Sequence, residues 1–550
     1  MHSSDICEAL ALFQELPSDT ESIVSDESSD TEEYSLSEII ESHSNDGSIH
    51  DEESDANDIN MPGPSQPIMI RWEKRGKIQK TIPNFDSETG PSDEVMNMDD
   101  QSPVAIFLAL FSVQLMESIV FQSNLYATQS GKNLSPLTLE ELILFLAINL
   151  TMGVKRLPSY RDYWSTSDIL HDPYVSSLMP VKRFAWILGN LHLNDNTLMK
   201  KKGDKDFDKL YKLRPLITHL SEKFLSVLRP SKHQAVDESM VKFKGRSSLK
   251  QYMPKKPIKR GYKIWMRCNE NGFASQFQIY TGKTSDVEKS LGERVVRDLT
   301  QPIYGKNHIL YMDNFISSYN LYRYLETQKI FSCGTVNMSR KNLPKLTDDK
   351  NLTRGEFDWA VSDENVTCIK WKDKRCVSVL SCLPDCTDTV IIKRKERNGD
   401  IIDVQCPKAV SDYNKNMGFV DHFDHLKSLY EIDRKSRKWW HRLFFHFLDM
   451  TVINAYILHN MLPNINADIK NVKTFRMEVI RSLVVMGKEG TSKKRKLSSP
   501  VQMKAHKFSV PGDVRLANAQ HLPVRSTSKR CAVCSTKRET QKNPMDVSNM

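Results

Sequence analysis

The chain has 550 residues, enough for two or three domains with hydrophobic cores, and its hydrophobic and charged fractions of 39% and 27% are typical of a soluble protein with polar tails. Its ten cysteines are scattered without a dense framework, which argues against a secreted, disulfide-stapled protein and favours a reducing compartment. The acidic beginning lacks the basic and apolar regions of a signal peptide.

Charge is divided unevenly along the chain. Residues 1–60 contain 18 Asp or Glu and no Lys or Arg, so the remainder carries 77 basic and 51 (69 less 18) acidic residues, a net charge of +26. An acidic arm on a basic body indicates a polyanionic partner, and nucleic acid is the leading candidate.

The chain begins with a polar segment and continues with helices. Residues 1–100 are rich in Ser, Asp, Glu and Asn, and we predict that they form a disordered arm because they cannot bury enough apolar surface. From about Pro103 to Pro230, "VAIFLALFSVQLMESIVFQSN" and "LTLEELILFLAINLTMGV" repeat apolar residues at helical spacing. Thr138 and Glu141 predict a capping box. The apolar run Val104–Val113 is too short to cross a bilayer and predicts a buried helix.

The pattern then changes to strands. "KHQAVDESMVKFKG", "YKIWMRCNENGFASQFQIYTG" and "NHILYMDNFISS" predict strands joined by turns. "VTCIKWKDKRCVSVLSC" and "DTVIIKRKERNGDIIDVQC" predict two hairpins, the second turning at Asn398-Gly399. From Gly418 through "WWHRLFFHFLDMTVINAYILHNML" the helical pattern returns, and past Met486 the chain is basic and Ser-rich.

Four aspartates are candidates for metal chemistry. Asp237 lies within a predicted strand, and Asp313 follows the buried run "ILYM" at the rim where open α/β sheets place their ligands. Asp421 and Asp424 share one face of a predicted helix. Converging carboxylates are hard oxygen ligands for Mg²⁺, and two such ions can drive phosphoryl transfer. The alternative is that the single aspartates are turn or cap residues and the pair is a solvated helix face.

Two zinc hypotheses are weaker. His422 and His425 have a spacing that can bind zinc, but a third ligand has to come from elsewhere, and the alternative is partly exposed polar residues. Cys531 and Cys534 form half of a zinc site, and no Cys or His follows them in the sequence. We therefore expect no intact structural zinc.

Two basic and aromatic segments are candidates for DNA binding. One has nine Lys or Arg between Lys242 and Lys263, and the other has five between Arg434 and Arg442. Such cations can neutralise phosphates, and nearby aromatics can stack on bases. The alternatives are a solvated strand edge and an amphipathic helix whose core face includes Trp440 and Phe444. The predicted DNA contacts are Lys244, Arg246, Lys255, Lys256, Lys259, Arg260, Lys263, Arg434, Lys435, Arg437 and Lys438.

Four separated motifs resemble the piggyBac transposases and the host proteins derived from them. They are "YWSTSDIL…MPVKRFAWILGNLHL", "VDESMVKFKGRSSLKQYMPKKPIKRGYKIW", "YMDNFISS" and "GFVDHFDHLKSLYEIDRKSRKWW", in family order within residues 100–485. The resemblance implies an α/β fold with a ribonuclease H-like core, as in the retroviral integrase superfamily, interrupted by a β-rich insertion near Trp371-Lys372-Asp373. A split α-helical domain for dimerisation and DNA binding flanks that core.

The resemblance also implies the chemistry. The family's catalytic aspartates fall on Asp237, Asp313 and Asp421, and its additional acidic residue falls on Asp424. These residues are expected to hold two Mg²⁺ or Mn²⁺ ions for DNA cleavage and strand transfer at TTAA sites. The expected partners are double-stranded DNA, including transposon ends, and a second copy of the chain in a homodimer, with no membrane.

The implied domain boundaries follow the motifs. They are 1–100 (acidic disordered arm), 101–232 (first helical segment, for dimerisation and DNA binding), 233–340 (first core segment), 341–410 (insertion), 411–432 (second core segment, the helix with the third Asp), 433–486 (second helical segment, for DNA binding) and 487–550 (basic tail with a truncated cysteine-rich segment).

Some features depart from the family pattern. The cysteine-rich zinc domain that recognises transposon ends is represented only by "RCAVCSTKRETQ", and Asn337 stands where the family commonly has Arg. The intact aspartates favour an active transposase, whereas the truncated cysteine segment favours a domesticated DNA- or chromatin-binding relative or a copy that no longer binds its ends. "KKRK" at Lys493–Lys496 predicts a nuclear address or a DNA-attracting tail, and we expect a nuclear protein.

Overall fold

The structure is a computed structural model that describes residues 70–132, 135–254, 256–282, 291–436, 438–463 and 470–494, together with two strands at 524–530 and 542–546. The chain divides between Gly490 and Thr491 into two units. The described portion of the second unit includes a pair of antiparallel strands. Cys531 and Cys534 lie outside the described residues, as do most of the basic tail and the acidic residues 1–69.

Helices pack on the central sheet, and most of them lie in the two blocks that apolar periodicity predicts, but three lie between those blocks, at Leu291–Thr300, Tyr319–Thr327 and Lys408–Asn416. In chain order the helices are α1 (Asp93–Met96), α2 (Pro103–Leu110), α3 (Val113–Gln129), α4 (Leu139–Val154), α5 (Pro173–Leu178), α6 (Val181–Asn190), α7 (Arg214–Ser226), α8 (Leu291–Thr300), α9 (Tyr319–Thr327), α10 (Lys408–Asn416), α11 (Phe419–Ser428), α12 (Trp439–Asn460) and α13 (Val472–Lys494).

The N-terminal helices confirm the predicted caps and core. Thr138 Oγ1 accepts a hydrogen bond from Glu141 N at 3.3 Å, and Glu141 Oε2 accepts one from Thr138 N at 3.2 Å, which is the predicted capping box. Ile106, Phe107 and Leu110 of α2 are fully buried. No single helix among the described residues meets the length and hydropathy of a membrane span, and α2 and α3 meet them only as a pair bent by 59°.

The sequence patterns predicted only some of the strands, since no predicted strand segment covers residues 330–335 or 357–362. In chain order the strands are β1 (Trp72–Lys74), β2 (Gly90–Pro91), β3 (Leu228–Arg229), β4 (His233–Lys242), β5 (Gln251–Tyr252), β6 (Arg260–Asn269), β7 (Ala274–Ile279), β8 (His308–Met312), β9 (Ile330–Thr335), β10 (Phe357–Ser362), β11 (Thr367–Lys372), β12 (Cys376–Ser381), β13 (Thr389–Lys395), β14 (Ile401–Pro407), β15 (Val524–Arg530) and β16 (Lys542–Asp546).

One ten-stranded mixed sheet organises the first unit. Its order is β1-β10-β11-β12-β9-β8-β4-β6-β5, and β7 pairs with β6. At the centre, β4, β8 and β9 are parallel, whereas β6 is antiparallel to β4 and to β7. The strand β8 ends opposite the middle of β4, so the residue after β8 can meet side chains of β4 there.

Helices cover both faces of the central strands. Along β4, Ala235 and Val241 belong to the larger core cluster, which includes residues of α11 and α12. Val236 belongs to the second cluster, which includes residues of α8 and α9. The side chains alternate between the two faces with the strand period of two, and because both faces are covered, β4 is buried along almost its whole length.

The predicted N-terminal arm is too long. Residues 72–74 form β1, which pairs antiparallel with β10, and Arg75 N donates to Trp359 O at 2.8 Å. The prediction of disorder up to residue 100 is therefore wrong for residues 72–74 and for α1. The backbone hydrogen bonds of β1 go to a distant region of the chain, so local composition carries no signal for this strand.

The insertion is β-rich, as the resemblance implies, and most of it extends the central sheet. The strands β10, β11 and β12 form an antiparallel set that joins the sheet through β9. The strands β13 and β14 pair separately as the predicted second hairpin. Gly399 lies in its turn with φ of +98°, a conformation that favours glycine.

The C-terminal helices pack against the larger core cluster. The predicted core face of α12 is confirmed, since Trp440, Phe444, Phe447 and Leu448 are all buried. The helical pattern predicted from Gly418 onward is interrupted, because α11 ends at Ser428, α12 begins at Trp439 and residues 431–436 are irregular.

A buried ion pair ties α12 to the neighbouring helices. Arg476 of α13 donates from Nη2 to Asp449 Oδ1 of α12 at 2.9 Å, and from Nε to the carbonyl of Leu150 in α4 at 3.2 Å. Asp449 Oδ2 also accepts from Ile432 N at 2.7 Å, so the same carboxylate anchors the irregular segment before α12. Two sequence-distant helical blocks are thereby joined.

Candidate active site

Asp237 and Asp313 lie side by side on adjacent parallel strands. Val236 of β4 is in register with Met312 of β8, so Asp237 and Asp313 are the next residues on each strand. Oxygen atoms of Asp237, Glu238 and Asp313 lie within 4.8 Å of one another. The structure therefore brings together two of the four predicted aspartates and adds a glutamate.

Burial and mutual repulsion perturb these carboxyls. Desolvation, followed by the negative charge of Glu238, raises the pKa of Asp237 to about 8, although its Oδ1 accepts a 2.7 Å hydrogen bond from Glu238 N. The same two causes, in the same order, raise the pKa of Asp313, whose Oδ1 accepts from Phe315 N at 3.1 Å. Neighbouring buried carboxyls with raised pKa values are a common feature of functional sites.

Glu238 belongs to the three-carboxylate group but was not predicted from the sequence. It is buried beside Lys256, whose Nζ lies 2.9 Å from Glu238 Oε1. Burial raises the pKa of Glu238, but the positive charges of Lys263 and Lys256 outweigh it, and the pKa lies below its ordinary value. The sequence does contain one signal for Glu238, which is its position directly after Asp237 in "AVDESM". Strand alternation predicts that neighbouring side chains point to opposite faces, which argues against grouping it with Asp237.

Helix α11 brings Asp424 close to the same strand. Ser239, two residues after Asp237 and therefore on the same face of β4, donates from Oγ to Asp424 Oδ1 at 2.7 Å. Desolvation raises the pKa of Asp424 against the opposing effects of Lys427 and Ser239. Asp421 is exposed in the first turn of α11. Neither aspartate belongs to the three-carboxylate group.

The predicted histidine ligands do not join a metal group in the portion of the chain that the structure describes. His422 and His425 are exposed on α11. His422 instead lies over the turn between β6 and β7, where a Cβ on Gly272 would stand 2.8 Å from His422 Cδ2. Gly272 also has φ of +84°, so both space and backbone conformation favour glycine there.

The donor set fits a hard divalent cation. All three clustered ligands are carboxylates, and Asp424 adds a fourth carboxylate beside the same strand. Lys256 supplies a positive charge at this place, since Asp237, Glu238 and Asp421 all act on its ammonium group. An ammonium among carboxylates marks a position where positive charge is favoured.

Exposed cations lie along the segment 242–260, which also carries Lys256. Lys244, Arg246, Lys259 and Arg260 are exposed, and the Arg260 guanidinium lies 4.9 Å from the ring centroid of the exposed Tyr252. Such a surface is able to contact phosphates and bases. Lys255 lies outside the described residues.

Lys263 takes a different position from the one predicted. Its Nζ lies 3.8 Å from the ring centroid of Trp265 and 4.8 Å from that of Phe315, and the residue is buried. Desolvation lowers its pKa, while Glu238 and Asp313 oppose that change. Lys263 is therefore an interior counter-charge for the carboxylates rather than a surface contact.

The second basic segment also differs from the prediction. The guanidinium of Arg434 lies among the rings of Tyr160, Phe184 and Phe445 at 5.6, 5.0 and 5.2 Å from their centroids, and burial lowers its pKa to about 10. Lys438 donates from Nζ to the carbonyl of Gly189 at 2.8 Å. In this structure both cations contact groups of the protein, and their predicted contacts with phosphates stay a prediction.

The remaining members of that segment are an exposed Lys435 and Arg437, which lies outside the described residues. Asn337, the departure noted in the sequence, is also exposed. Three residues later, Arg340 donates from Nη2 to the carbonyls of Asn314 and Phe315. Arg340 therefore fixes the loop that follows Asp313, a role with no signal in the local sequence.

Comparison with known proteins identifies related sequences. A family model described as Transposase IS4 matches residues 102–456. The human PiggyBac transposable element-derived protein 3 is 27% identical over 97% of this chain and 95% of that protein. The human PiggyBac transposable element-derived protein 2 is 28% identical over 71% of this chain and 66% of that protein.

The fold has a counterpart among solved structures. The cryo-EM structure of a piggyBac transposase synaptic complex with hairpin DNA matches with a TM-score of 0.64 and 22% identity, covering 76% of this chain and 86% of that chain. This likeness concerns the mixed α/β fold. Since the family model spans well over half of the sequence, the chain belongs to the piggyBac-type transposase family.

Proposed function

We propose that this protein is a DNA transposase that cleaves and joins DNA at TTAA sites through a ribonuclease H-like DDD active site. The observation that carries the proposal is the meeting of Asp237, Glu238 and Asp313 at adjacent strands, beside a helix that bears Asp421 and Asp424. The order β7-β6-β4-β8-β9, with β4, β8 and β9 parallel and β6 reversed, supports the ribonuclease H-like assignment.

Asp237 and Asp313 are the metal ligands in this proposal, with Asp421 and Asp424 completing the set from α11. Mg²⁺ or Mn²⁺ bound there supplies Lewis-acid activation of the attacking hydroxyl and stabilises charge on the leaving oxygen in phosphoryl transfer. Ser239 orients Asp424 through its 2.7 Å hydrogen bond, and Arg340 orients the loop after Asp313 through two backbone carbonyls. These contacts hold the carboxylates in place before substrate arrives.

Exposed cations next to the site are the proposed DNA contacts. Lys244, Arg246, Lys259 and Arg260 lie on the segment that follows β4, within the chain's basic body. The substrate is double-stranded DNA, including the ends of the element, and we propose that the chain acts as a homodimer in the nucleus.

An excision assay tests the proposal. The donor carries the element's own ends flanked by TTAA, and the intact chain is compared with Asp313→Asn in Mg²⁺. We expect excision by the intact chain and a loss of at least about 100-fold in the variant, because a ligand to the ion is removed. Asp388→Asn, an exposed aspartate outside the carboxylate group, is the matched control and is expected to retain excision.

A DNA-binding protein without strand-transfer activity is the second candidate. The observation in its favour is Lys256, whose ammonium already neutralises Glu238 inside the carboxylate group. The curated relatives are themselves named as transposable element-derived proteins. Retained DNA binding with no excision by the intact chain would favour this candidate over the transposase.

A further inference from the structure

Lys256 is the one described lysine of segment 242–260 that enters the carboxylate site. Its Nζ lies 2.9 Å from Glu238 Oε1, and its side chain is about one-third exposed, whereas that of Glu238 is almost fully buried. The electrostatic fields of Asp237 and Asp421 also act on this ammonium. Lys256 is therefore paired with a carboxylate of β4 and interacts electrostatically with Asp421 of α11, while part of its side chain stays exposed.

The loop that carries Lys256 is short and is anchored at both ends. Met253 N donates to Lys259 O at 2.8 Å, Lys256 N donates to Met253 O at 3.2 Å, and β5 pairs with β6 beside it. Lys259 and Arg260 next to this loop are exposed to solvent. One small element thus carries an ammonium inside the site and two cations on the surface.

Glu238 does not depend on Lys256 alone for its charge balance. Lys263 also acts on the Glu238 carboxylate, and it is held in place between Trp265 and Phe315. The ammonium of Lys256 is thus the more accessible of two counter-charges. It is able to leave Glu238 without removing all positive charge from the buried carboxylate.

We propose that Lys256 couples DNA binding to metal binding, because its ammonium pairs with Glu238 in the free protein and transfers to a backbone phosphate when DNA binds. This inference rests on the proposed function. While the ammonium occupies the carboxylate group, it repels a divalent cation by like charge. Transfer to a phosphate removes that repulsion, so DNA tightens metal binding and, by reciprocity, metal tightens DNA binding.

With this coupling, the free protein has a low affinity for the metal ions, and the DNA-bound protein has a higher affinity for them. If DNA binds before the metal, the ions are held mainly when a phosphate is already in place, which suits a protein that cuts DNA. The exchange makes and breaks ion pairs only, and no covalent bond changes. Its size is expected in the ordinary range of coupling between sites, about 5- to 150-fold in affinity.

Mn²⁺ binding to the full-length chain, followed by electron paramagnetic resonance of the free ion, tests the inference. It is measured with and without a short duplex DNA. In the absence of DNA, we expect Lys256→Met to bind Mn²⁺ about tenfold more tightly than the wild type. In its presence, we expect the wild type to gain about tenfold and Lys256→Met to gain clearly less. Lys256→Arg keeps the charge and is expected to behave like the wild type.

Two comparisons separate an exchanging lysine from a fixed counter-charge. A fixed lysine would also weaken Mn²⁺ binding, but DNA would then give the same gain in the wild type and in Lys256→Met, and that result would overturn the inference. Lys306→Met, at an exposed position outside the site, controls for the general loss of one positive charge. Lys256→Gln is the second variant if the methionine disturbs folding, and it is expected to give the same pattern.

The outcome is distinguishable from failure of the proposed function. If Asp237→Asn abolishes Mn²⁺ binding and the wild type and Lys256→Met bind equally, the metal site stands and the coupling is wrong. If no variant binds Mn²⁺ with or without DNA, both the metal site and the coupling are wrong.

Discussion

Segments 242–263 and 434–442 look alike in sequence and lie in different environments in the structure. Both are dense in Lys and Arg with interspersed aromatics. In the first, most described cations are exposed, and Lys256 and Lys263 face buried carboxylates. In the second, Arg434 packs against three aromatic rings and Lys438 binds a helix carbonyl.

The difference shows that cation density alone does not identify a DNA-binding surface. A guanidinium is planar and weakly hydrated, so aromatic rings can compensate some of the cost of removing it from water. The rings around Arg434 come from the N-terminal helical block and from α12, which are far apart in sequence. The partners that decide the role of each cation are therefore invisible in its own segment.

Replacing Arg434 is expected to give the largest effect on stability. Arg434→Ala removes a half-buried side chain that packs against three rings, and we expect the free energy of unfolding to fall by about 2–4 kcal/mol. Lys244→Ala is the matched control from the first segment and is expected to change it by less than about 0.5 kcal/mol, because Lys244 is exposed. Urea unfolding of the two variants measures the difference, and equal losses would contradict the distinction between the segments.

DNA binding is expected to give the opposite ranking. Lys244→Ala combined with Arg246→Ala removes two exposed cations, so the slope of log affinity against log salt is expected to fall by about 2, with affinity reduced roughly 10-fold or more at low salt. Arg434→Met, which removes a buried charge while filling the space, is expected to leave that slope unchanged. Fluorescence anisotropy over a salt series measures both. A reduced slope in Arg434→Met would place that guanidinium on a phosphate after all.

Much of the fold could be predicted because its signals are local. Apolar periodicity predicted the two helical blocks, and Asn398-Gly399 predicted a hairpin turn whose glycine needs positive φ. The strand β1 was not predicted because three residues in a polar segment are too few to show an alternating apolar pattern. Its partner β10 lies almost 300 residues away in the sequence. Strand formation there is determined by pairing rather than by composition.

The candidate site was only partly predictable, for similar reasons. Asp237 and Asp313 were recognisable because each has a buried strand pattern beside it, and the structure places them together. Glu238 and Arg340 were missed because their roles depend on partners from other elements, Lys256 and the loop after Asp313. The motif resemblance supplied the catalytic roles of Asp421 and Asp424, and their role as ligands stays a prediction.

Asp237, on the strand that precedes the first segment, predicts an effect of pH on stability. The folded-state pKa of Asp237 is about 8 and its ordinary value is 3.8, so the folded protein holds a proton that the unfolded chain has released between these values. Stability from this proton is complete below about pH 4 and is lost as pH rises through about 8. A divalent cation replaces the proton and is therefore expected to stabilise the fold more at high pH.

Thermal unfolding with and without Mg²⁺ at several pH values measures this effect. We expect the increase in Tm caused by Mg²⁺ to grow by a few degrees between about pH 6 and pH 9 in the wild type. In Asp237→Asn a ligand to the ion and the titrating group are both removed, so the Tm increase caused by Mg²⁺ is expected to be small at every pH. Arg434→Met is the control from the second segment and is expected to keep the wild-type pH response. A Tm increase that is independent of pH in the wild type would mean that Asp237 is already ionised without the metal.

The smallest expected effect concerns the ion pair that joins the two segments. Lys242 Nζ lies 3.6 Å from Asp433 Oδ2, and both side chains are 40–50% exposed. A second contact between these residues is less exposed to solvent. Arg442 donates to the carbonyl of Lys242 at 3.0 Å and lies 3.0 Å from Asp433 Oδ1. A double-mutant cycle of Lys242→Ala and Asp433→Asn is expected to give a coupling energy below about 1 kcal/mol. The backbone bond from Arg442 survives both changes, so a larger coupling would mean that side-chain charge, rather than this buried guanidinium, holds the segments together.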